Sequence, residues 1–227
     1  MTLIINSEQN AVELNKESLA DQVFSVIRDR IINLDISPGE RIDVDELTEE
    51  LEVSKAPIRD AMKALEDRGL VSVEPRVGYY ARKLDSEDIE EIYDMRELFE
   101  IYAIEEAIGS VPDKLIESCK SETKKIRENN LSSRKKREWF DKTDEMLHQE
   151  IILSHSDNNF LKDFTTRIHD LISITRHLNK RISQSMNEHL KILDALYEKD
   201  KNRAKESLQQ HLRQVRKETL RAINQEQ

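Results

Sequence analysis

From Leu47 to Gly78 the chain reads LTEELEVSKAPIRDAMKALEDRGLVSVEPRVG. The spacing lays out a short helix, a tight turn, a second helix with a basic outer face, and a small hairpin. Val44, Leu47 and Leu51 recur at helical spacing, so Asp45 to Glu52 can bury one stripe and leave its carboxylates in water. Ser54 is placed to cap the next helix by accepting a bond from a first-turn N–H. Pro57 falls in that first turn, where no intrahelical donor is lost. Ile58, Ala61, Met62 and Leu65 form the buried face, while Lys55, Arg59 and Lys63 stand at i, i+4 and i+8 on one outward stripe. Gly69 is positioned to end the helix in the left-handed conformation. Leu70, Val71 and Val73 suit a short strand, and Pro75 with Gly78 marks a turn before Tyr79 and Tyr80. Arg76 sits at the tip of that turn, where a cation can meet phosphate or the minor groove.

This order of parts predicts a winged helix-turn-helix, a module that enters the major groove of DNA. The run SKAPIRDAMKALEDRGLV resembles the DNA-binding region of the GntR superfamily of transcription regulators. Ser54, Pro57, Arg59, Ala61, Leu65, Gly69, Leu70, Pro75, Arg76 and Gly78 stand where that pattern wants them. Ser37-Pro38-Gly39-Glu40 matches the turn after the family's first helix, here roughly Ser18 to Asn33. The resemblance implies double-stranded operator DNA as a partner, with Ser54, Lys55, Ala56, Arg59, Lys63, Arg76 and Gly78 on the reading face. Lys55 and Ala56 depart from the arginine and threonine that usually contact the operator. Lysine lacks the bidentate fork for guanine and alanine has no hydroxyl, so a different operator preference is expected.

The charge distribution agrees with selective DNA binding. The 227 residues carry a net charge of −10, which argues against a non-specific DNA coat. From Asp35 to Val53 the only cation is Arg41 against eight carboxylates, whereas Ser54 to Lys83 holds seven cations and four carboxylates. A basic face on an acidic body suits sequence-selective binding with weak non-specific affinity. Charged residues make up 36% and there are only four glycines, which favours a mainly α protein. No apolar run approaches a membrane span and no signal peptide is visible, so no membrane partner is expected. The single Cys119 is consistent with a reducing, cytoplasmic setting.

Residues 1–17 lack periodicity and read as a flexible tail. Residues 18–83 form the winged helix-turn-helix with its small β wing, and residues 85–227 an all-α antiparallel helical bundle. Asp85 or Ser86 can cap a helix to about Ala107. Further helices fit Asp113 to Glu128, Lys135 to Ser154, Asn158 to Lys180, Gln184 to Lys199 and Lys201 to Ile223. Asn129 to Arg137 is basic and polar, and reads as a solvated loop and helix start.

The bundle carries a second constellation, Asp144, His148, His189 and His211. Asp144 and His148 are four apart among Phe140, Leu147 and Ile151, so both project from an inward helical face. His189 stands among Met186, Leu190, Leu193 and Leu196, and His211 beside Leu208, Leu212 and Val215. Four polar groups facing a core need partners, because a buried unsatisfied imidazole or carboxylate is costly. One divalent ion meets all four demands, and three imidazoles with a carboxylate suit Zn²⁺, Ni²⁺, Mn²⁺ or Fe²⁺. His155, His169 and His177 are expected to have no special role.

Asp-x-x-x-His at Asp144, Asn-x-x-Leu at Asn158, Glu-His-x-x-Ile-Leu-x-Ala-Leu at Glu188 and Ala…His-Leu ending at Leu212 resemble the FCD ligand-binding domain of the FadR branch. The resemblance implies a metal in the bundle and a small carboxylate-type effector in the same cavity, and Arg96 is read either as a charge for that anion or as the partner of a bundle carboxylate. The expected protein is a homodimeric, effector-responsive transcription regulator on a pseudo-palindromic operator, and not an enzyme. Two alternatives are a metal-dependent, hydrolase-like helical enzyme with an N-terminal docking module, and a regulator that senses the metal alone. Three His and one Asp could activate water, but no general base stands beside them.

Overall fold

The structure, a computed structural model, describes residues 18–129 and 131–226; the tail expected at 1–17 lies outside them. The N-terminal part begins with α1 (Leu19–Ile32), opened by a capping box in which Ser18 Oγ accepts from Asp21 N–H and the Asp21 carboxylate accepts from Ser18 N–H. There follow β1 (Arg41–Ile42), α2 (Val44–Glu50), α3 (Lys55–Asp67), β2 (Val71–Glu74) and β3 (Gly78–Ala81). The strands form an antiparallel sheet in the order β1-β3-β2, with Arg41 opposite Tyr80 and Val71 opposite Ala81. Val23, Ile27, Ile31, Leu47, Ile58, Met62, Leu65 and Leu70 close its core. Burying each such side chain contributes roughly 1.5–3 kcal/mol. β1 has no counterpart in the sequence reading, because two residues are too few to show alternation.

The expected Ser54 cap does not form. Ser54 is extended and precedes α3, but its side chain makes no capping bond. With Lys55 as the first helical residue, Pro57 occupies the third position and has no N–H to donate. Gly69 does end α3, at φ +78°, where a side chain would be strained.

The helical part comprises α4 (Ser86–Ala107), α5 (Asp113–Glu128), α6 (Ser133–Glu145), a π-helical segment (Met146–Leu153), α7 (Asn159–Thr175), a 3₁₀ turn (Arg176–Leu178), α8 (Ile182–Tyr197) and α9 (Lys201–Glu226). Asp85 caps α4 through a box with Asp88. Ile104, Leu147, Ile151, Ile192, Leu193 and Leu208 pack in one buried cluster at the centre of the bundle.

Two expected helices are interrupted. The one expected to run to Ser154 changes to i→i+5 bonding after Glu145, as in the Ser154 N–H to Gln149 carbonyl bond at 2.9 Å. Such widened turns cluster at functional sites, and His148 lies inside this one. The one expected to reach Lys180 stops at Thr175 and tightens into the 3₁₀ turn. There the Asn179 N–H bonds the Arg176 carbonyl, and the Arg137 guanidinium donates to the carbonyls of Arg176 and Asn179.

Candidate metal centre and DNA-reading face

The candidate reading face is built on α3. Its apolar residues are fully buried, so Ser54, Lys55, Ala56, Arg59 and Lys63 are turned to solvent. Arg76 is exposed at the wing tip with φ 65°, a left-handed conformation that is costly for a residue with a side chain. Lys55 is bound to Asp45 at 2.5 Å, an exposed pair that DNA phosphate can displace. Arg41 joins this face although the sequence reading treated it only as the lone cation of an acidic stretch. Strand pairing places it over Gly78, where an added Cβ would stand 3.2 Å from Arg41 Nε, and it lines one concavity with Lys55 and Arg59.

Asp144, His148, His189 and His211 come from α6, the π-helical segment, α8 and α9. Each offers a ligand atom within 4.8 Å of the others. The three imidazoles are 2% exposed or less. His189 Nε2 lies 3.2 Å from His211 Nε2 and 3.5 Å from Asp144 Oδ1, while His148 Nε2 lies 3.7 Å from Asp144 Oδ1. Donors about 2.0–2.1 Å from a tetrahedral ion are about 3.4 Å apart, so these separations fit one. Among the described residues, the buried His148 Nε2 has no hydrogen-bond partner. An ion would satisfy it.

Carboxylates behind the cluster orient two of the rings. Glu100 Oε2 is 2.5 Å from His148 Nδ1, and Glu188 Oε2 is 2.9 Å from His211 Nδ1. Each fixes the tautomer with Nδ1–H outward and the Nε2 lone pair toward the ion. Glu100 is in turn held by Arg96, whose Nε donates to Oε1 at 2.6 Å, and Glu188 by Arg181 at 2.6 Å. Burial opposes the Glu100 charge, but Arg96 and His148 outweigh it and hold the carboxyl at about 2. For Asp144 too, burial opposes the charge, but the facing guanidinium groups of Arg176 and Arg96 help to hold it an anion. Burial, with the neighbouring imidazoles, pushes His189 and His211 down and keeps them neutral, the form that binds metal.

Arg96 lines a small cavity beside the cluster with Arg137, Asp144 and Arg176. Arg176 is the less committed cation there: its Nε is 3.8 Å from Asp144 Oδ2 and makes no hydrogen bond among the described residues. The sequence reading missed Glu100, Glu188 and Arg176. A signal existed for Glu188, which directly precedes His189 yet serves His211 across the helix pair, and for Glu100, at i+4 from Arg96. His155 and His177 place Nδ1 2.8 Å from the carbonyls of Glu150 and Ile174. His169 Nε2 accepts from Arg176 at 2.6 Å.

A winged helix with a basic reading helix, joined to an all-helical domain holding a buried His/Asp cluster, defines a transcription regulator with a sensing domain. Residues 19–80 match the family described as bacterial regulatory proteins, gntR family, and residues 91–214 match the FCD domain. The chain belongs to the FCD-bearing branch of the gntR family of bacterial transcription regulators; it is not an enzyme. It is 29% identical to YdhC, an HTH-type transcriptional regulator of Bacillus subtilis (strain 168), over 84% of this chain and 86% of that one. Its fold is similar to a GntR regulator structure from Rhodococcus sp. RHA1, with TM-score 0.75 at 19% identity over 90% of this chain and 98% of that chain. The Zn²⁺-bound FCD domain of TM0439 matches with TM-score 0.51 and 29% identity, covering 61% of this chain and 96% of that one. No helix among the described residues is long and apolar enough to cross a membrane.

Proposed function

We propose that the protein binds a pseudo-palindromic operator as a homodimer, and that a divalent ion with a small carboxylate in the helical domain sets its operator affinity. The observation that carries this reading is the buried convergence of Asp144, His148, His189 and His211, with Glu100 and Glu188 orienting two of the rings. The Zn²⁺-bound TM0439 domain supports the choice of ion class; Zn²⁺, Ni²⁺, Mn²⁺ and Fe²⁺ all suit the donors. A bound ion supplies a Lewis-acidic position for an effector carboxylate. Arg96 and Arg176 line the adjoining cavity and would complement the anion's charge. The reading helices of two copies would enter successive major grooves with Arg59, and Arg76 would reach from each wing. Met95, Leu98 and Tyr102, exposed at i, i+3 and i+7 on α4, form an apolar stripe that a second copy would cover.

A second reading makes the metal itself the signal. It is favoured by the count of protein donors, since four complete a tetrahedral shell without an organic ligand. Gel shifts with the DNA upstream of the protein's own gene separate the two. Under the first reading, Zn²⁺ plus a series of small carboxylates moves the operator affinity further than Zn²⁺ alone. A full response to Zn²⁺ alone favours the second, and no shifted band at any protein concentration sinks both.

A further inference from the structure

The helix α7 has two working faces. Thr165, Ile168, His169 and Ile172, at helical spacing, line a cavity with Arg96 and Glu100 behind the metal cluster. Asp170, Leu171 and Ile174 point the other way, into the winged helix. Ile174 is 3% exposed and belongs to the same core cluster as Ile27 and Met62, with Leu171 packed against it. Gly69, at the end of the reading helix, lies so close that a Cβ there would sit 3.5 Å from Leu171 Cδ2.

Asp170 is the polar centre of this contact. It is 1% exposed although it is a carboxylate. Arg28 on α1 meets Oδ1 through Nε at 2.8 Å and through a second nitrogen at 2.7 Å, and Arg68, just after α3, meets Oδ2 at 3.0 Å. Arg28 also touches Asp29 at 3.1 Å, and Arg68 lies over the Phe24 ring at 5.6 Å. Both oxygens of a buried anion are therefore engaged by the two helices that frame the reading head. A buried charge of this kind is tolerated only while its partners hold it, so the pairing specifies one placement of the head.

The next residue back along α7 faces the other site. His169 Nε2 accepts from Arg176 at 2.6 Å, and Arg176 Nε lies 3.8 Å from Asp144 Oδ2. Asp170 and Arg176 thus sit on one rigid helix and its terminal turn, one gripping the reading head and the other facing the cluster.

We propose that Asp170 is a positioning residue for DNA reading: its bridge to Arg28 and Arg68 fixes the winged helix on α7, and through His169 and Arg176 that helix couples the Asp144 cluster to the placement of the head. The proposal rests on the operator-binding half of the function above and adds the element that connects the two domains. A change in how Arg176 is held acts on the same rigid body that carries Asp170. Two sites coupled in this way need one two-state element that both bias, and α7 is that element.

The test is a double-mutant cycle on the full-length protein, with the duplex most enriched by the wild type from a random oligonucleotide pool as the probe. Asp170→Asn keeps the shape of the side chain and removes its charge. Asp170→Asn and Arg176→Gln are each expected to change operator affinity by at least about fivefold. In the Asp170→Asn background the Arg176→Gln effect should vanish. Asp170→Asn should still bind Zn²⁺, since Asp170 touches no candidate ligand, and tryptic cleavage after Lys83 should quicken. If Asp170→Asn does not fold, Arg68→Gln takes its place, because it keeps the Arg28 contact. Additive effects, or wild-type affinity and cleavage rate in Asp170→Asn, overturn the proposal. A wild type that selects no duplex would instead sink operator binding itself, and one that binds no Zn²⁺ would sink the metal reading while leaving the cycle interpretable.

Discussion

His189 Nε2 and His211 Nε2 face each other at 3.2 Å inside the bundle. With His211 Nδ1–H committed to Glu188, His211 can only accept there, so His189 must donate from Nε2 and leave its buried Nδ1 bare. That proton stands between two nitrogens that, with Asp144 and His148, converge on a single point. A bound ion would take both Nε2 lone pairs, with the His189 proton on Nδ1, and would replace a pairing that engages only two of the four groups.

Removing the ion should therefore destabilise the protein. At a free ion concentration 100-fold above the dissociation constant, linkage gives about 2.7 kcal/mol of stabilisation. Calorimetry with and without a chelator should show a lower Tm for the chelated protein, and His189→Ala should abolish the difference. An unchanged Tm, with no ion found by native mass spectrometry, would count against the site.

Glu100→Gln and Glu188→Gln should each weaken Zn²⁺ binding by roughly 10–100-fold, the usual effect of losing an outer carboxylate behind a ligating histidine. Competition with a fluorescent chelator measures this. The metal-free melting curve of Glu188→Gln should be recorded beside it, because Glu188 Oε1 also accepts from Arg181 at 2.6 Å and a glutamine that keeps the His211 bond loses that one. Unaltered affinity in both variants would show that the rings are placed by packing alone.

At the reading face, Arg59→Ala and Arg41→Ala should each cost about 1–3 kcal/mol of operator binding if they meet base edges. A contact limited to phosphate would instead lower affinity uniformly across sequences and reduce the salt slope. Arg76→Gly should separate folding from binding. Glycine relieves the φ of 65°, which costs a residue with a side chain about 1–3 kcal/mol, so the variant should melt higher while binding DNA more weakly. Stronger DNA binding by Arg76→Gly would remove the arginine from the interface.

His169 sets a pH dependence. Burial and the adjoining Arg176 guanidinium push its imidazole down to about 3. In the unfolded chain it takes a proton near pH 6.5. Stability is thus complete above about 6.5 and falls as pH drops toward about 3, because the unfolded state binds the proton first. Burial pushes His189 and His211 in the same direction. Urea melts of metal-free protein between pH 7.5 and pH 5 should show a shallower loss for His169→Gln than for wild type. Equal slopes would mean the ring is hydrated in the folded protein.

The core of the reading domain should be intolerant of truncation. Ile58→Ala removes a side chain at 0% exposure and should cost about 2–5 kcal/mol, read as a shift in the denaturation midpoint. A cost below about 1 kcal/mol would mean that α3 is held by something other than this packing.

The winged helix was legible in the chain because its determinants are local. The apolar spacing of Ile58, Ala61, Met62 and Leu65, the Gly69 stop and the Pro75–Gly78 turn act within a few residues of where they stand. The four candidate ligands were legible for a related reason: a polar residue on an apolar helical face announces that it needs a partner. The Ser54 cap does not form although its position suits one: Pro57 withdraws one of the two N–H groups it could bond, and the Ala56 N–H is not engaged by it. Other features belong to tertiary structure alone. Asp170 meets Arg28 across 142 positions and Arg68 across 102, and Glu100 meets His148 across 48. β1 is a strand by virtue of its pairing with β3, and Arg137 reaches the carbonyl of Arg176 in the 3₁₀ turn across 39 positions. Periodicity records which face of an element is buried, while the partner on the other side is chosen by packing of the whole chain.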